Sequence, residues 1–569
     1  SEQPNSLYDP NGSFQSINRR YDIVYGDVML NFNYNINRFD IAATVGWTGR
    51  YENMNKIRVS TNGGLVTENW FDLNASRYTP SSTLQRMELL KTGYMGTLSL
   101  GWDNYLFLEL TGRQERSSTL KDQSFFYPSA NLSFLFTQAF HMPSWWNYGK
   151  LRLSYGIVGN APETYTANIV YEQGSDNGFT WNTIPSSWGN ADIRPEKKYE
   201  YEIGLESKFL NNRLGIDVSY YNNRVKDQIL STPQPSTSGV KNVLMNVGEV
   251  ANHGWDISIS ATPILTRDFR WDLTANYGVY KNKVVKLADG VPYLEILNSG
   301  GSGIKIQAVE GQPMGDIYAQ VPQVNENGEY LVSDKGLYLN QTELQKVGNI
   351  NPAGVGGLFN SFSYKNVFLD FSIDFRIGGD VINEMNQYAT AVGLTPESLK
   401  YRDTEHGGLS YYYPGDNNSS GIPVQVDPST GAGPNGEIIY HDGIILPGVV
   451  ASTGERNTRI IPAGYYYNTT YNWGTEAEQL TYRHSVFDNS YVKLRELTIG
   501  YQFPEKMISK LGLGRLSVSV FGRNLFYFYK ALKNYDAESS VGTSWANQAT
   551  VGSSTTATRS FGVSLRASF

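Results

Sequence analysis

Residues 561–569, FGVSLRASF, set Phe561, Val563, Leu565, Ala567 and Phe569 on one face and Gly562, Ser564, Arg566 and Ser568 on the other. A period of two sends successive side chains to opposite faces of a strand. An apolar face that runs to the last residue fits a strand whose outside meets lipid rather than a protein core. Two more stretches lead into it. Residues 490–503 (SYVKLRELTIGYQF) read as a strand, 504–514 (PEKMISKLGLG) as a compact turn, and 515–528 (RLSVSVFGRNLFYF) as the returning strand.

The same pattern recurs upstream, giving six pairs of alternating segments joined by short polar turns. Val28, Leu30, Phe32 and Tyr34 share a face before 35–38 turns the chain into FDIAATVGW. Residues 86–102 turn at Asp103-Asn104, 198–210 at Asn211-Asn212, and 358–364 at Lys365-Asn366. Trp255, Ile257, Ile259 and Ala261 lead through 262–270 into Trp271, Leu273, Ala275, Tyr277 and Val279. Opposite these apolar faces stand Asp256, Asp272, Asp370, Asp374 and Arg376. A soluble sandwich packs its apolar face inward, whereas a membrane barrel turns it outward and lines its lumen with the polar one.

The connections favour the barrel. One set is short, and the alternate set is long and rich in Gly, Asn, Ser and aromatics: 51–84, 159–195, 230–244, 285–305, 379–489 and 529–558. Short turns at one end and long loops at the other mark outer-membrane barrels, and soluble domains rarely carry structureless loops of that length. The expected fold is therefore all-β, a transmembrane antiparallel barrel with long extracellular loops, in a Gram-negative outer membrane and in contact with its lipid. The whole chain, 1–569, reads as one barrel unit, with 159–195, 379–489 and 529–558 as its main loops. About fifteen strands are counted, with 306–318 unassigned; an odd antiparallel set leaves its seam strands parallel. The expectation is that further strands come from another chain or an N-terminal fragment.

Composition agrees. No stretch approaches the roughly 20 apolar residues of a membrane helix, and mean hydropathy is −0.39. Forty tyrosines, 25 phenylalanines and 11 tryptophans suit interfacial girdles or carbohydrate-stacking surfaces. A net charge of −7 without a basic cluster argues against nucleic acid. With no cysteine there are neither disulfides nor thiolate metal sites. The chain opens at Ser1-Glu2-Gln3-Pro4 without a signal peptide's charged and apolar regions.

Eleven segments, in order along the chain, resemble the barrel of the SusC/RagA family of TonB-dependent transporters from Bacteroidetes. They are LTGRQERSSTL (110–120), FYPSANLSFLF (126–136), LRLSYGIVGN (151–160), RPEKKYEYEIGL (194–205), YYNNRVKDQIL (220–230) and NVGEVANHGWD (246–256). Further on come EGQPMGDIY (310–318), NSFSYKNV (360–367), YVKLRELTIGY (491–501), FGRNLF (521–526) and YDAE (535–538). The resemblance implies a twenty-two-stranded barrel, an internal N-terminal plug, a TonB-contacting segment before it, and a SusD-like surface lipoprotein as lid. Neither plug nor TonB box is found among these residues, so both are expected on another chain or fragment. A C-terminal aromatic such as Phe569 resembles the signal read by barrel-assembly machinery.

The candidate chemistry is binding rather than catalysis. His141, His253, His406, His441 and His484 are scattered, none in ligand spacing, and the carboxylates fall mostly one per strand. Asp256, Asp272, Asp370, Asp374 and Arg376 are read as lumen-facing. Loop aromatics Trp181, Trp188, Tyr411, Tyr412, Tyr413, Tyr465, Tyr466, Tyr467 and Trp473 are candidate substrate contacts, since flat rings suit sugars and protein interfaces alike. Asp416-Asn417-Asn418-Ser419-Ser420 offers oxygens for a structural calcium ion, although turn chemistry explains it as well. No catalytic residue is assigned. The function expected is uptake of oligosaccharides or oligopeptides with a SusD-like lid, energised through TonB. A passive porin and a soluble β-rich glycan-binding adhesin are the alternatives.

Overall fold

The computed structural model describes residues 2–4, 11–121, 124–176, 179–233, 237, 239–299, 303–415, 421–472, 481–539, 542, 544–552 and 557–568. Its main element is a sixteen-stranded sheet in which every neighbour along the chain order is antiparallel. Glu2–Gln3 is a two-residue strand at one edge, which leaves fifteen longer ones. They are β1 (Ser13–Ile36), β2 (Phe39–Leu65), β3 (Ser76–Trp102), β4 (Leu106–Ser117), β5 (Ser124–Phe134), β6 (Trp146–Asn160), β7 (Glu196–Phe209) and β8 (Leu214–Lys226). Then come β9 (Glu249–Leu265), β10 (Phe269–Lys286), β11 (Gly354–Tyr364), β12 (Val367–Ile377), β13 (Tyr491–Gln502), β14 (Arg515–Lys530) and β15 (Ser560–Ser568).

Register shows what the sheet is built to face. Tyr34, Ile41, Leu100, Leu108, Leu132, Leu153, Ile203 and Tyr220 are successive ladder partners from β1 to β8. Ile216, Ile259, Ala275, Leu358 and Ile373 carry the row on to β12. Leu369, Ile499, Val520 and Val563 finish it at β15. One apolar face thus crosses all fifteen strands, and its side chains stay open: Phe32, Ile203 and Val563 keep 59 %, 47 % and 72 % of their surface. Water-soluble monomers rarely expose an apolar patch beyond a few hundred Å².

Aromatic rings bound this belt above and below. At the short-turn end Phe39 stacks on Trp102, Trp102 meets Tyr105, Tyr105 meets Phe134, and Trp146 meets Phe209, with centroids 5.4–6.4 Å apart. At the other end Trp47 pairs with Tyr94, Tyr155 with Tyr201, and Tyr220 with Trp255. Eight residues of tilted strand separate Phe39 from Trp47, a rise of roughly 20–25 Å, the height of a barrel's apolar band.

The tight turns take the left-handed backbone that Asn and Asp tolerate best. Asn37, Asp103, Asn104, Asn211, Asn212 and Lys365 all have φ between 53° and 63°. Three expectations change in detail. A seventh short connection, 135–145, joins β5 to β6 through the short helix Phe136–Ala139, so those strands also form a pair. The span 51–84 is mostly strand, because β2 runs to Leu65 and β3 starts at Ser76. Residues 306–318 lie in no barrel strand; they belong to a loop sheet of Tyr293–Ser299, Ile304–Val309, Asp316–Ala319 and Gln345–Asn349.

Among the described residues, β15 pairs with β14 alone, and the outer edge of β1 meets only Glu2–Gln3. Both faces of β1 are exposed over most of its length.

Candidate functional site

The face opposite the belt is polar and cross-linked. Thr44 donates to Asn31 (2.7 Å), the Thr111 and Ser129 hydroxyls share a hydrogen (2.6 Å), and Asn131 donates to Glu109 (3.3 Å). Arg152 on β6 reaches over β7 to Asp217 on β8, with bonds of 2.7 and 3.2 Å and a third to Ser219. That reach needs Gly204 beneath it, since a Cβ there would lie 2.8 Å from the guanidinium. Arg152, Asp217, Ser219, Asp256, Ser258, Asn276 and Asp374 line one open cavity of about 620 Å³. Groups of this kind bind hydroxyls, amides and charges rather than lipid.

The residues singled out on this face fall along it. Asp256 stands opposite Ser219 and Gly278. Asp272 stands opposite Ser361 and is held by Arg270 (2.5 and 2.9 Å) and the Thr262 hydroxyl (2.7 Å). Asp370 lies between Ser361 and Thr498. Asp374 accepts from Arg495 at 2.5 Å. Arg376 is spent on backbone, donating to the Ile350 carbonyl (3.0 Å) and the Gly378 carbonyl (3.2 Å), and so pins the ends of two loops.

Three long connections fold into one body. Ile304, Ile306, Ile317 and Ala319 from 287–353 pack with Ile382, Tyr482 and Val486 from 378–490 and with Ala546 and Ala549 from 531–559. Val381, Leu532 and Val551 weld the last two again. A second group forms where Leu120, Phe125, Ala167 and Ile193 meet Ile229 and Leu244.

The loop aromatics divide between these groups. Tyr411 and Tyr413 are buried with Ile460 and Tyr440, and the Tyr411 hydroxyl donates to Asp442 at 3.1 Å. Tyr467 is buried beside Tyr466 and donates to the carbonyls of Glu397 (2.9 Å) and Lys400 (3.3 Å). Burial pushes the Tyr467 phenol up to about 12. Tyr412 and Tyr465 are half-buried. Trp181 is exposed on the hairpin Glu172–Asp176/Phe179–Thr183 with its indole across Gly174, and Trp188 meets the edge of Tyr171. Among the described residues no hydrogen bond or ring contact joins these tryptophans to the tyrosines of 378–490. Trp473, Phe569 and 416–420 lie outside the described residues.

One set of residues had no assigned role in the sequence. Glu538, in the YDAE segment, takes Arg495 at 2.6 and 2.8 Å and Lys493 at 2.5 Å. The Tyr527 hydroxyl donates to Asp536 (2.6 Å), and Asn489 donates to the Ala537 carbonyl (2.9 Å). The last loop is thereby clasped onto β13 beside Asp374. Desolvation works to raise the Glu538 carboxyl, but the bonds from Arg495 and Lys493 prevail and hold it below the usual carboxylate range. Lys493 and Arg495, two residues apart, are the available signal, and alternation alone does not show what they face.

A family model described as "TonB dependent receptor-like, beta-barrel" matches residues 1–322, more than half of the chain. TonB-dependent receptor P3 of Formosa agariphila is 24 % identical over 494 residues, 79 % of this chain and 42 % of that protein. TonB-dependent receptor SusC of Bacteroides thetaiotaomicron is 30 % identical over 247 residues, 40 % of this chain and 24 % of that protein. In fold, the chain is similar to a solved chain of the RagAB peptide transporter, with TM-score 0.68 at 18 % identity, covering 94 % of this chain and 55 % of that one. The chain spans less than half the length of these curated relatives. The belt, the girdles and the family match put its sheet in a Gram-negative outer membrane, apolar face to lipid. The chain belongs to the TonB-dependent receptor β-barrel family, similar in sequence to SusC and in fold to a chain of the RagAB transporter.

Proposed function

We propose that this chain is the major barrel portion of a SusC-like importer that takes up oligosaccharides or oligopeptides. The observation that carries the reading is a lipid-facing sheet whose polar wall is overhung by three loops fused through one core. A cap with its own core is built to hold a ligand above a passage. In this reading a plug outside these residues couples to TonB and is displaced by inner-membrane energy.

A SusD-like lipoprotein closes over the mouth. Its landing surface includes the open apolar group Ile169, Val170, Tyr171, Phe179, Trp181 and Ile184 on 161–195, which a chain alone in water would be expected to bury. Tyr412 and Tyr465 remain the substrate contacts of the loop cap, and Asp256, Asp272, Asp370 and Asp374 those of the wall. Any calcium ion at Asp416–Ser420 plays a structural part.

Growth on the cognate substrate tests the reading. Deleting the TonB-contacting segment of the plug-bearing polypeptide should abolish uptake while binding to cells persists. Undiminished uptake would refute energised import, and a large steady conductance in planar bilayers would favour an open pore.

A further inference from the structure

The loop cap contains a cavity of about 390 Å³ that neither the belt nor the polar wall uses. Three segments far apart in sequence enclose it: Lys335, then Tyr413 with Pro423, then Arg459 to Pro462 with Tyr465. Its walls are built. Tyr411, Tyr413 and Ile460 form one buried cluster behind it, and Leu337, Ile444, Leu446 and Ile461 another.

Arg459 is held in place from both ends. Asn457 accepts from the Arg459 backbone amide (3.0 Å) while donating to the Leu446 carbonyl (2.8 Å). The arginine stem lies against Gly336, whose φ of +86° and close approach suit glycine. Yet among the described residues no carboxylate pairs with its guanidinium. Three carboxylates of the same loops are engaged elsewhere. Asp442 accepts from Tyr411, Asp334 from Ser452 (2.5 Å), and Glu437 from the amides of Asn435 and Gly415. Lys335 also lines the rim. The helix Ala463–Tyr471 starts at this wall behind Pro462 with no side chain capping it, so its positive end adds to the field.

Among the described residues, this half-buried guanidinium, at a small cavity flanked by tyrosines, has no anion. Its planar fork matches a carboxylate bidentately, and the volume, near the lower end for ligand pockets, suits one residue of an oligomer. We propose that this cavity binds a carboxylate-bearing unit of the transported ligand, with Arg459 as the recognising residue. The carboxylate belongs either to a uronic acid or to a peptide. The proposal rests on the importer reading for the ligand's route, but binding itself needs no transport.

The test is calorimetric titration of the complete outer-membrane protein, purified in detergent with whatever chains accompany it. Two matched pairs serve as probes: galacturonate trimer against galactose trimer, and tetra-alanine against its C-terminal amide. The acidic member of one pair should bind at least about 10-fold more tightly than its neutral partner, and the pair that discriminates identifies the source. Arg459→Gln should erase that ratio, and Arg459→Lys should keep part of it. Equal binding within both pairs, or an unchanged ratio in Arg459→Gln, would overturn the proposal.

If the variant fails to give the heat-modifiable band of a folded barrel, salt on the unmodified protein decides. Affinity for the acidic probe should fall between 0.05 and 0.5 M salt, and a flat response overturns the proposal. Failure of the importer reading shows differently, as intact acidic binding without TonB-dependent uptake.

Discussion

The belt and the loop cap treat the same side chains in opposite ways. Across the fifteen strands, Phe32, Val45, Ile203 and Val563 point away from the protein, while in the cap Ile304, Ile306, Ile317 and Ile382 have no exposed surface. The difference is one of solvent. In lipid an outward Leu or Val costs nothing and the backbone must satisfy itself, which the ladder does between its two edge strands. Above the membrane the chain returns to water and has to build cores from residues that lie more than 200 apart in sequence, such as Ile304 and Ala549. The belt is therefore held by register, and the cap by long-range contacts and a few ionic clasps.

The sharpest way to break the cap without touching the belt is to remove the Glu538 carboxylate. The Lys493 side chain is 2 % exposed and Glu538 is its counter-ion. Removing one partner of a buried pair costs about 3–5 kcal/mol, because the other charge is left without compensation. Glu538→Gln should therefore release residues 531–559 to added protease on intact cells, while the barrel keeps its heat-modifiable mobility. Replacing both partners with methionine should restore much of the protection. Joint loss of barrel and loop in Glu538→Gln would show that the two regions are not separable.

The converse experiment places a charge in the belt. Leu110 faces Leu98 and Ala130, midway between the two girdles. Leu110→Arg should cost about 2–4 kcal/mol in the bilayer, read as a lower urea midpoint of refolding into vesicles. Thr111→Arg, one residue on and facing the polar wall, should cost much less. Equal costs would refute the assignment of faces.

A smaller effect is expected inside the cap. Tyr467→Phe removes the hydroxyl that joins the helix Ala463–Tyr471 to the carbonyls at 397 and 400. A loss of about 1 kcal/mol should appear as faster amide exchange across 396–402, with the belt unaltered.

This contrast also explains what could be read from the sequence. Between the girdles, alternation is enforced by lipid on one side and polar groups on the other, so β1 to β4 and β7 to β15 are legible as strands. Beyond the upper girdle that constraint lapses. YENMNKIRVSTNGGL (51–65) has no strict apolar period and reads as part of the loop 51–84, although it continues β2. In β5 and β6 the turn hides behind Phe136, Trp145 and Trp146, an apolar knot rather than a polar pair. The tyrosines show the deeper difficulty. Tyr411-Tyr412-Tyr413 has one composition, yet two rings face a core and the middle one is half-open, a division set by partners such as Ile460 and Tyr440. Arg459 was illegible because an unpaired guanidinium can be recognised only once its surroundings are assembled.

Acid should distinguish the two regions last and least. His484 stacks on Tyr471 with centroids 4.2 Å apart, and burial, with Arg483 adding to it, pushes its imidazole down to about 4. An unfolded histidine titrates near 6.5, so between those values the unfolded cap binds a proton that the folded cap refuses. Stability of the cap is then complete above pH 6.5 and is lost as pH falls toward 4. Since part of the ring remains accessible, the loss from pH 7 to 5 should be about 1 kcal/mol. It should be read as increased proteolysis within 378–490, while the belt, whose traced apolar rows carry no carboxylate or histidine, keeps its refolding midpoint. His484→Phe preserves the stack and should flatten the response. A pH dependence that survives in that variant would assign it to another group, and one shared equally by the belt would remove the distinction between a region held by lipid and a region held by its own core.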